Sequence, residues 1–384
     1  MSSLSTDTAR RSAAALVAAL ATAVRHQAPP PTASIPPAPD TRACAGRAAA
    51  QGRGPRVVSE RRTGPRTVDL LIDSPALGHE APVRLLLPRD FDRAPHARWP
   101  VLCLLHGAHD DHTSWTRETD IETFTADKGV LTVLPDSGPT GIPTDWWRWG
   151  RPGAPDYETF QVDEVMDVLR CGYRAARARA VAGISTGGYG AMAQAARHPG
   201  AFRAAASYSG LTDTTLRGMP AFVHSVVARE HLPPRSLWGS PRAQSANWHA
   251  HNPRAGARGL QGTALYVSCG SGGGDGSGDD RGGRVLKRAE DPWRAELLES
   301  VMWTAAKSFT ARLEQLGIPA TTHLYSGGTH TWPYWWREFR RSWPLLAQSL
   351  GLGSEPEPGS GSGPEPGSGF GPEPGSGSDG RGGT

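Results

Sequence analysis

"AVAGISTGGYGAM", Ala180 to Met192, decides the fold. Its first half is an apolar run that reads as a buried strand. Its second half, rich in glycine and alanine, opens a helix. Between them stands Gly183-Ile184-Ser185-Thr186-Gly187, a G-x-S-x-G pentapeptide. A serine at a sharp strand-to-helix turn has strained backbone angles, and glycines two before and two after it relieve crowding with the adjoining strand and helix. The helix start also points free N–H groups and a positive dipole end at developing negative charge. The spacing therefore predicts a nucleophilic Ser185, with the Thr186 N–H as one oxyanion donor. Glycine is abundant, at 47 of 384 residues, so the pentapeptide alone would equally suit an ordinary strand–turn–helix. The strand before it and the helix after it favour the nucleophile.

Outward from this turn, apolar β-branched runs alternate with helical patterns. That alternation predicts an α/β fold with a mainly parallel twisted sheet and helices on both faces. The strand candidates are "TVDLLI", "VRLLL", "PVLCLLHG", "VLTVLPD", "RAVAGIS", "AAASYSG", "ALYVSCG" and "TTHLYSG". A short connection joins the first two, which predicts an antiparallel hairpin at one edge. Helical patterns cover about Tyr157–Ala176, Gly187–His198, Trp293–Leu316 and Trp332–Leu350.

These elements form one domain over residues 56–352, with a Gly-rich insertion at 270–283. Residues 1–55 are rich in Ala, Pro and Arg and read as a disordered leader. Residues 353–384 are a Pro-Glu-Pro-Gly-Ser repeat that cannot bury a core and read as a tail. Within the leader, "RRSAAALVAALATAV" has the charged start and apolar centre of an export signal. It places the protein in the secreted or cell-envelope class. A weakly helical alanine-rich leader on a cytoplasmic protein is the alternative.

Composition excludes several functions. Net charge is +4, and the arginines are scattered among acids, so no nucleic-acid stripe is present. Cys44, Cys103, Cys171 and Cys269 show no CxxC or CxH spacing, which argues against zinc, and Cys103 and Cys269 read as buried free thiols. No apolar run is long enough to span a membrane. The oligomeric state is not encoded in any pattern we recognise.

A serine nucleophile needs a second oxyanion donor and a base. "VLCLLHGAHDDHTSW" supplies the first, because a strand ends at His106-Gly107 and the glycine lets the Ala108 N–H face the serine. The crowding of His106, His109, Asp110, Asp111 and His112 suggests a metal site. However, Ala108 stands where the second histidine of an H-x-H-x-D-H set belongs, so metal is not expected. The base is His330, in "GGTHTWPYWW": glycines before it free the loop, and aromatics after it wall the ring in. His198, His224, His249 and His251 lie at a helix end or in polar connecting segments and read as solvated or capping. For the acid, the residues leave Asp275, Asp279 and Asp280, in the loop after "ALYVSCG", against Glu299 on the following helix. A glycine-rich loop holds a carboxylate poorly.

From Val83 to Leu350 the chain resembles the mycolyltransferase (antigen 85) and esterase D-like branch of the α/β-hydrolases. The likeness runs in order through "PTDWW", "YETFQVDEV", "GISTGGYGAM", "ASYSG", "LWGS", "NWHAHNP", "YVSCG", "LLESVMWTAAKSF" and "GGTHTWPYWW". That family places its acid as the glutamate of an L-E pair ten residues before a phenylalanine, a separation Glu299 and Phe309 share. The resemblance thus implies a triad of Ser185, Glu299 and His330, with Ala108 and Thr186 as oxyanion donors; His109 and Trp332 are the candidate substrate contacts. The sugar-binding transferases resemble "LLDGLR" at the first oxyanion loop, whereas this chain reads "LLHGAHDD". That departure disfavours a disaccharide acceptor and favours water.

The expected function is that of a serine esterase acting on a small-molecule ester or acyl-lipid through an acyl-enzyme, with no metal or organic cofactor. One alternative is acyl transfer to a sugar or glycerolipid alcohol. The other is a secreted binding or adhesion protein that displays tryptophans from "TDWWRWG" and "WPYWW".

Overall fold

The computed structural model describes residues 54–273 (without 152 and 154) and 292–353. The proposed leader up to residue 53, the tail from residue 354, and Asp275, Asp279 and Asp280 lie outside the described residues.

The centre of the fold is a nine-stranded sheet in the order β1-β2-β3-β5-β4-β6-β7-β8-β9. Its strands are β1 (Arg56–Arg62), β2 (Thr67–Ser74), β3 (His79–Leu86), β4 (Trp99–Leu105), β5 (Leu131–Pro135), β6 (Ala175–Ile184), β7 (Ala204–Tyr208), β8 (Ala264–Gly270) and β9 (Thr321–Tyr325). From β5 through β9 every neighbouring pair is parallel. The β1–β2, β2–β3 and β3–β5 pairs are antiparallel. All eight expected strands are present. The β2–β3 hairpin, however, is not at the edge, because β1 adds to β2 outside it. The pattern missed β1 because "RVVSERR" is half polar and largely exposed, as suits an edge strand with one partner.

Helices follow the strands in chain order. They are α1 (Ser114–Glu118), α2 (Ile121–Phe124), α3 (Tyr157–Thr159), α4 (Val165–Gly172), α5 (Thr186–Arg197), α6 (Met219–Arg229), α7 (Ser245–Ala250), α8 (Pro253–Gly256), α9 (Pro292–Gln315) and α10 (Trp332–Leu350). A π-helical turn, Phe160–Glu164, joins α3 to α4. The helical pattern expected to reach Ala176 stops at Gly172, because Arg174 takes a left-handed φ of 55° and Ala175 already pairs with Trp99 in the sheet. Alanine and arginine are good helix formers, but propensity is a small term and the strand pairing overrides it.

Side-chain alternation along the central strands splits the core in two. Val101, Cys103 and Leu105 of β4 pack on one face with Met192 of α5 and Phe309 of α9. Leu102 and Leu104 pack on the other with Trp115 and with Phe339 and Leu346 of α10. Cys103 and Cys269 are free and buried. The candidate residues follow the carboxyl ends of β4, β6 and β9 and lie on α9, the helix after β8. Between β7 and β8, α6 to α8 form a small helical cap that periodicity had not indicated. His224 and His249 are on these helices rather than in connecting segments. His251 is buried and stacks on Trp238 at 5.6 Å.

Candidate active site

Ser185 sits between β6 and α5 with φ 52° and ψ −120°, a conformation a side chain rarely adopts. The neighbouring glycines make it possible. A Cβ on Gly183 would lie 2.2 Å from the Gly187 carbonyl oxygen, and one on Gly187 would lie 2.4 Å from that of His106. The serine N–H donates to Tyr208 O at 3.0 Å, tying the turn to β7.

His330 enters on the loop between β9 and α10, where Gly327 and Gly328 have φ of 74° and 89°. Its Nε2 lies 2.9 Å from Ser185 Oγ. Its Nδ1 lies 2.9 Å from Glu299 Oε2. The Trp335 indole meets the imidazole edge-on, with ring centres 4.9 Å apart, and restricts its tilt.

Glu299, on α9, is fully buried, at 0% exposure, so a solvated helix-surface carboxylate is ruled out for it. Oε1 accepts from Gly270 N–H at 2.7 Å and Ser209 Oγ–H at 2.8 Å, which leaves Oε2 for the histidine. These donors satisfy a carboxylate that burial alone would disfavour. Burial and the neighbouring Glu299 charge together push the Cys269 thiol well above its ordinary range, so it stays protonated and inert. Ser209 and Gly270 were not read from the sequence as site residues. Their signal was the "ASYSG" and "YVSCG" strand ends, where a polar or small residue follows a buried strand.

Of the other expected residues, Ala108, Ser185, His330 and Trp332 all line one cavity of about 380 Å³. A Cβ built on Gly107 would lie 3.4 Å from Ser185 Cβ, so the loop that carries Ala108 rests directly on the serine. Thr186 is the first residue of α5. His109 also lines the cavity and hydrogen-bonds through Nδ1 to Glu230. Desolvation, reinforced by nearby Arg229, pushes its pKa down. Trp332 is held edge-on between Trp115 at 5.2 Å and Trp335 at 5.4 Å.

The cap contributes Phe222 and Val226 of α6, which sequence reading had missed because no motif marks that helix. The residues that had suggested a metal do not converge: His109 turns to Glu230, Asp110 to Arg117, and Asp111 to Thr113. Among the tryptophans proposed for display, Trp146 and Trp335 are buried, and Trp149 alone is exposed.

Comparison with known proteins bears on the fold and the family. The model of the family described as "Putative esterase" matches residues 74–345. Esterase Rv1288 of Mycobacterium tuberculosis is 28% identical over 291 residues, covering 72% of this chain. The chain spans only 58% of that relative's length. The diacylglycerol acyltransferase/mycolyltransferase Ag85B of Mycolicibacterium smegmatis is 27% identical, over 73% of this chain and 85% of its own. Among solved structures, M. tuberculosis MPT51 superimposes with a TM-score of 0.57 at 23% identity, over 74% of this chain and 97% of its own. The S-formylglutathione hydrolase FrmB of Staphylococcus aureus gives 0.51 at 17%, over 74% and 98%. These two likenesses establish the α/β-hydrolase fold.

Proposed function

Since the chain belongs to the esterase family, we propose that it is a serine carboxyl-ester hydrolase whose triad is Ser185, His330 and Glu299. The observation that carries this reading is the unbroken line from Ser185 Oγ through both nitrogens of His330 to Glu299, with 2.9 Å at each step. Ser185 Oγ attacks the acyl carbonyl carbon as its proton passes to His330 Nε2, while Nδ1–H donates to Glu299. The oxyanion is held by the N–H groups of Ala108 and Thr186. His330 then protonates the leaving alkoxide, and the acyl group remains on Ser185. Water attacks this ester, its proton goes to His330 and then to Ser185 Oγ, and the carboxylic acid leaves. Phe222 and Val226 offer an apolar wall for the acyl chain, and His109 and Trp332 contact the substrate at the mouth.

Acyl transfer is the second reading, favoured by the Ag85B likeness. It uses the same residues, with an alcohol in place of water. His109, rather than an arginine, follows Ala108, which is why we place water first. The test is hydrolysis of a chromogenic short-chain ester beside Ser185→Ala, repeated with trehalose or glycerol. Loss of turnover in the variant without acylated alcohol establishes the esterase. Capture of the acyl group by the alcohol establishes the transferase, and an inert wild type rejects both.

A further inference from the structure

A chain of buried side chains runs from the nucleophile helix to the first oxyanion loop. Gln194 of α5 donates through Nε2 to Gln161 Oε1 at 2.7 Å. Gln161 Nε2 in turn donates to Asp136 O at 2.8 Å and Ser137 Oγ at 3.0 Å. The Ser137 N–H donates to His106 Nε2 at 3.0 Å. Finally, His106 Nδ1 lies 2.8 Å from the Gly107 carbonyl oxygen. Gln194, Gln161, Ser137 and His106 are all buried.

The tautomer of His106 follows from this geometry. A backbone N–H can only donate, so Nε2 must carry the lone pair, and the proton is on Nδ1, where it donates to Gly107 O. Asp136 Oδ1 stands 3.7 Å from Nε2, outside hydrogen-bond reach, and leaves that nitrogen to Ser137.

The Gly107 carbonyl belongs to the same peptide plane as the Ala108 N–H. In a trans peptide the two point in opposite directions. Glycine at 107 leaves that plane free to turn over, and a turned plane would aim a carbonyl, not a donor, at Ser185. Gly141 closes the other side, since a Cβ there would lie 2.3 Å from Gly107 O and 2.7 Å from Ala108 Cα. We propose that His106 is a positioning residue that holds the Gly107–Ala108 peptide with its N–H toward the reacting carbonyl, and that Gln194 and Gln161 hold His106. This rests on the reading of Ser185 as nucleophile and Ala108 as oxyanion donor.

The test compares two variants of the full chain that keep a polar side chain in the site. His106→Asn retains a donor near the Nδ1 position, whereas His106→Gln retains an acceptor reaching toward Ser137 and loses that donor. Hydrolysis of a chromogenic ester and the rate of labelling by a fluorophosphonate are measured for both, with thermal melting as a control. We expect kcat and labelling rate of His106→Gln to fall about 100-fold at nearly unchanged KM, the scale of one lost oxyanion donor. His106→Asn should recover most of that loss. Equal impairment of both, or a loss confined to KM or to melting temperature, overturns the proposal while wild-type turnover keeps the esterase reading intact. A wild type inert to both reagents removes the esterase reading, and this proposal with it.

Discussion

Glu299 divides its two carboxylate oxygens between His330 Nδ1 and the Gly270 N–H, at 2.9 and 2.7 Å. The division makes Glu299→Gln an informative substitution. The glutamine carbonyl can still accept from Gly270, which turns its NH₂ toward Nδ1. That forces the proton onto Nε2, where the ring can no longer take one from Ser185. We expect kcat to drop by about 10⁴, with melting close to wild type. Replacing Asp275, Asp279 and Asp280 together by alanine should leave kcat unchanged. If that triple variant is dead and Glu299→Gln is active, the acid lies in the glycine-rich loop.

Gly187 sets the approach between nucleophile helix and oxyanion loop. A methyl there meets two backbone oxygens, those of His106 at 2.4 Å and Leu105 at 2.5 Å. Neither can swing away as a side chain would. Gly187→Ala should cost at least about 3 kcal/mol, the upper end of overpacking penalties. Urea unfolding gives the number, and an unchanged midpoint would contradict the close approach.

Val226 faces the cavity from α6 and is fully buried. Trimming it to alanine admits about one more methylene of substrate, which at ~0.8 kcal/mol is roughly a four-fold gain for longer chains. The ratio of kcat/KM for octanoyl over acetyl esters should rise accordingly in Val226→Ala, and Val226→Phe should lower it. A ratio that does not move would show that the acyl chain binds elsewhere.

Asp156 is raised to about 6 by desolvation and by the nearby Asp145 charge. Asp145 is held by the Thr159 N–H and Oγ–H, from which it accepts at 3.0 and 2.9 Å. A folded-state pKa above the unfolded value means that the native state holds the extra proton between about pH 4 and 6. Stability therefore falls as pH rises through that window. Asp156→Asn should melt higher than wild type at pH 7.5, with the gain shrinking toward zero near pH 4. A constant difference across that range would locate the effect in packing rather than charge.

Much of this candidate site could be read from the sequence, because the proposed chemistry demands local signatures. Ser185 needs glycines at fixed offsets, and His330 needs a free loop before it and bulk after it. Glu299 carried no such signature. A buried acid is held by partners far along the chain, Ser209 and Gly270, and nothing at Glu299 itself distinguishes it from a surface glutamate. Resemblance to the family, not periodicity, pointed to it. β1 and the cap helices were missed for related reasons. An edge strand has no apolar alternation to display, and α6 is recognisable only once the cavity it covers exists.

The separation of the proposed nucleophile and its proposed base also has a consequence during synthesis. Ser185 and His330 are 145 positions apart. At 5–20 residues per second, roughly 7 to 30 s pass between the two leaving the ribosomal active centre. Throughout that interval the serine has no base, and a hydroxyl without one is a poor nucleophile. The nascent chain thus carries an unarmed serine past every ester and acyl donor in its surroundings. On the proposed mechanism it becomes reactive only when β9 docks beside β8 and delivers His330, so recovery of activity should be among the last signals in a refolding experiment.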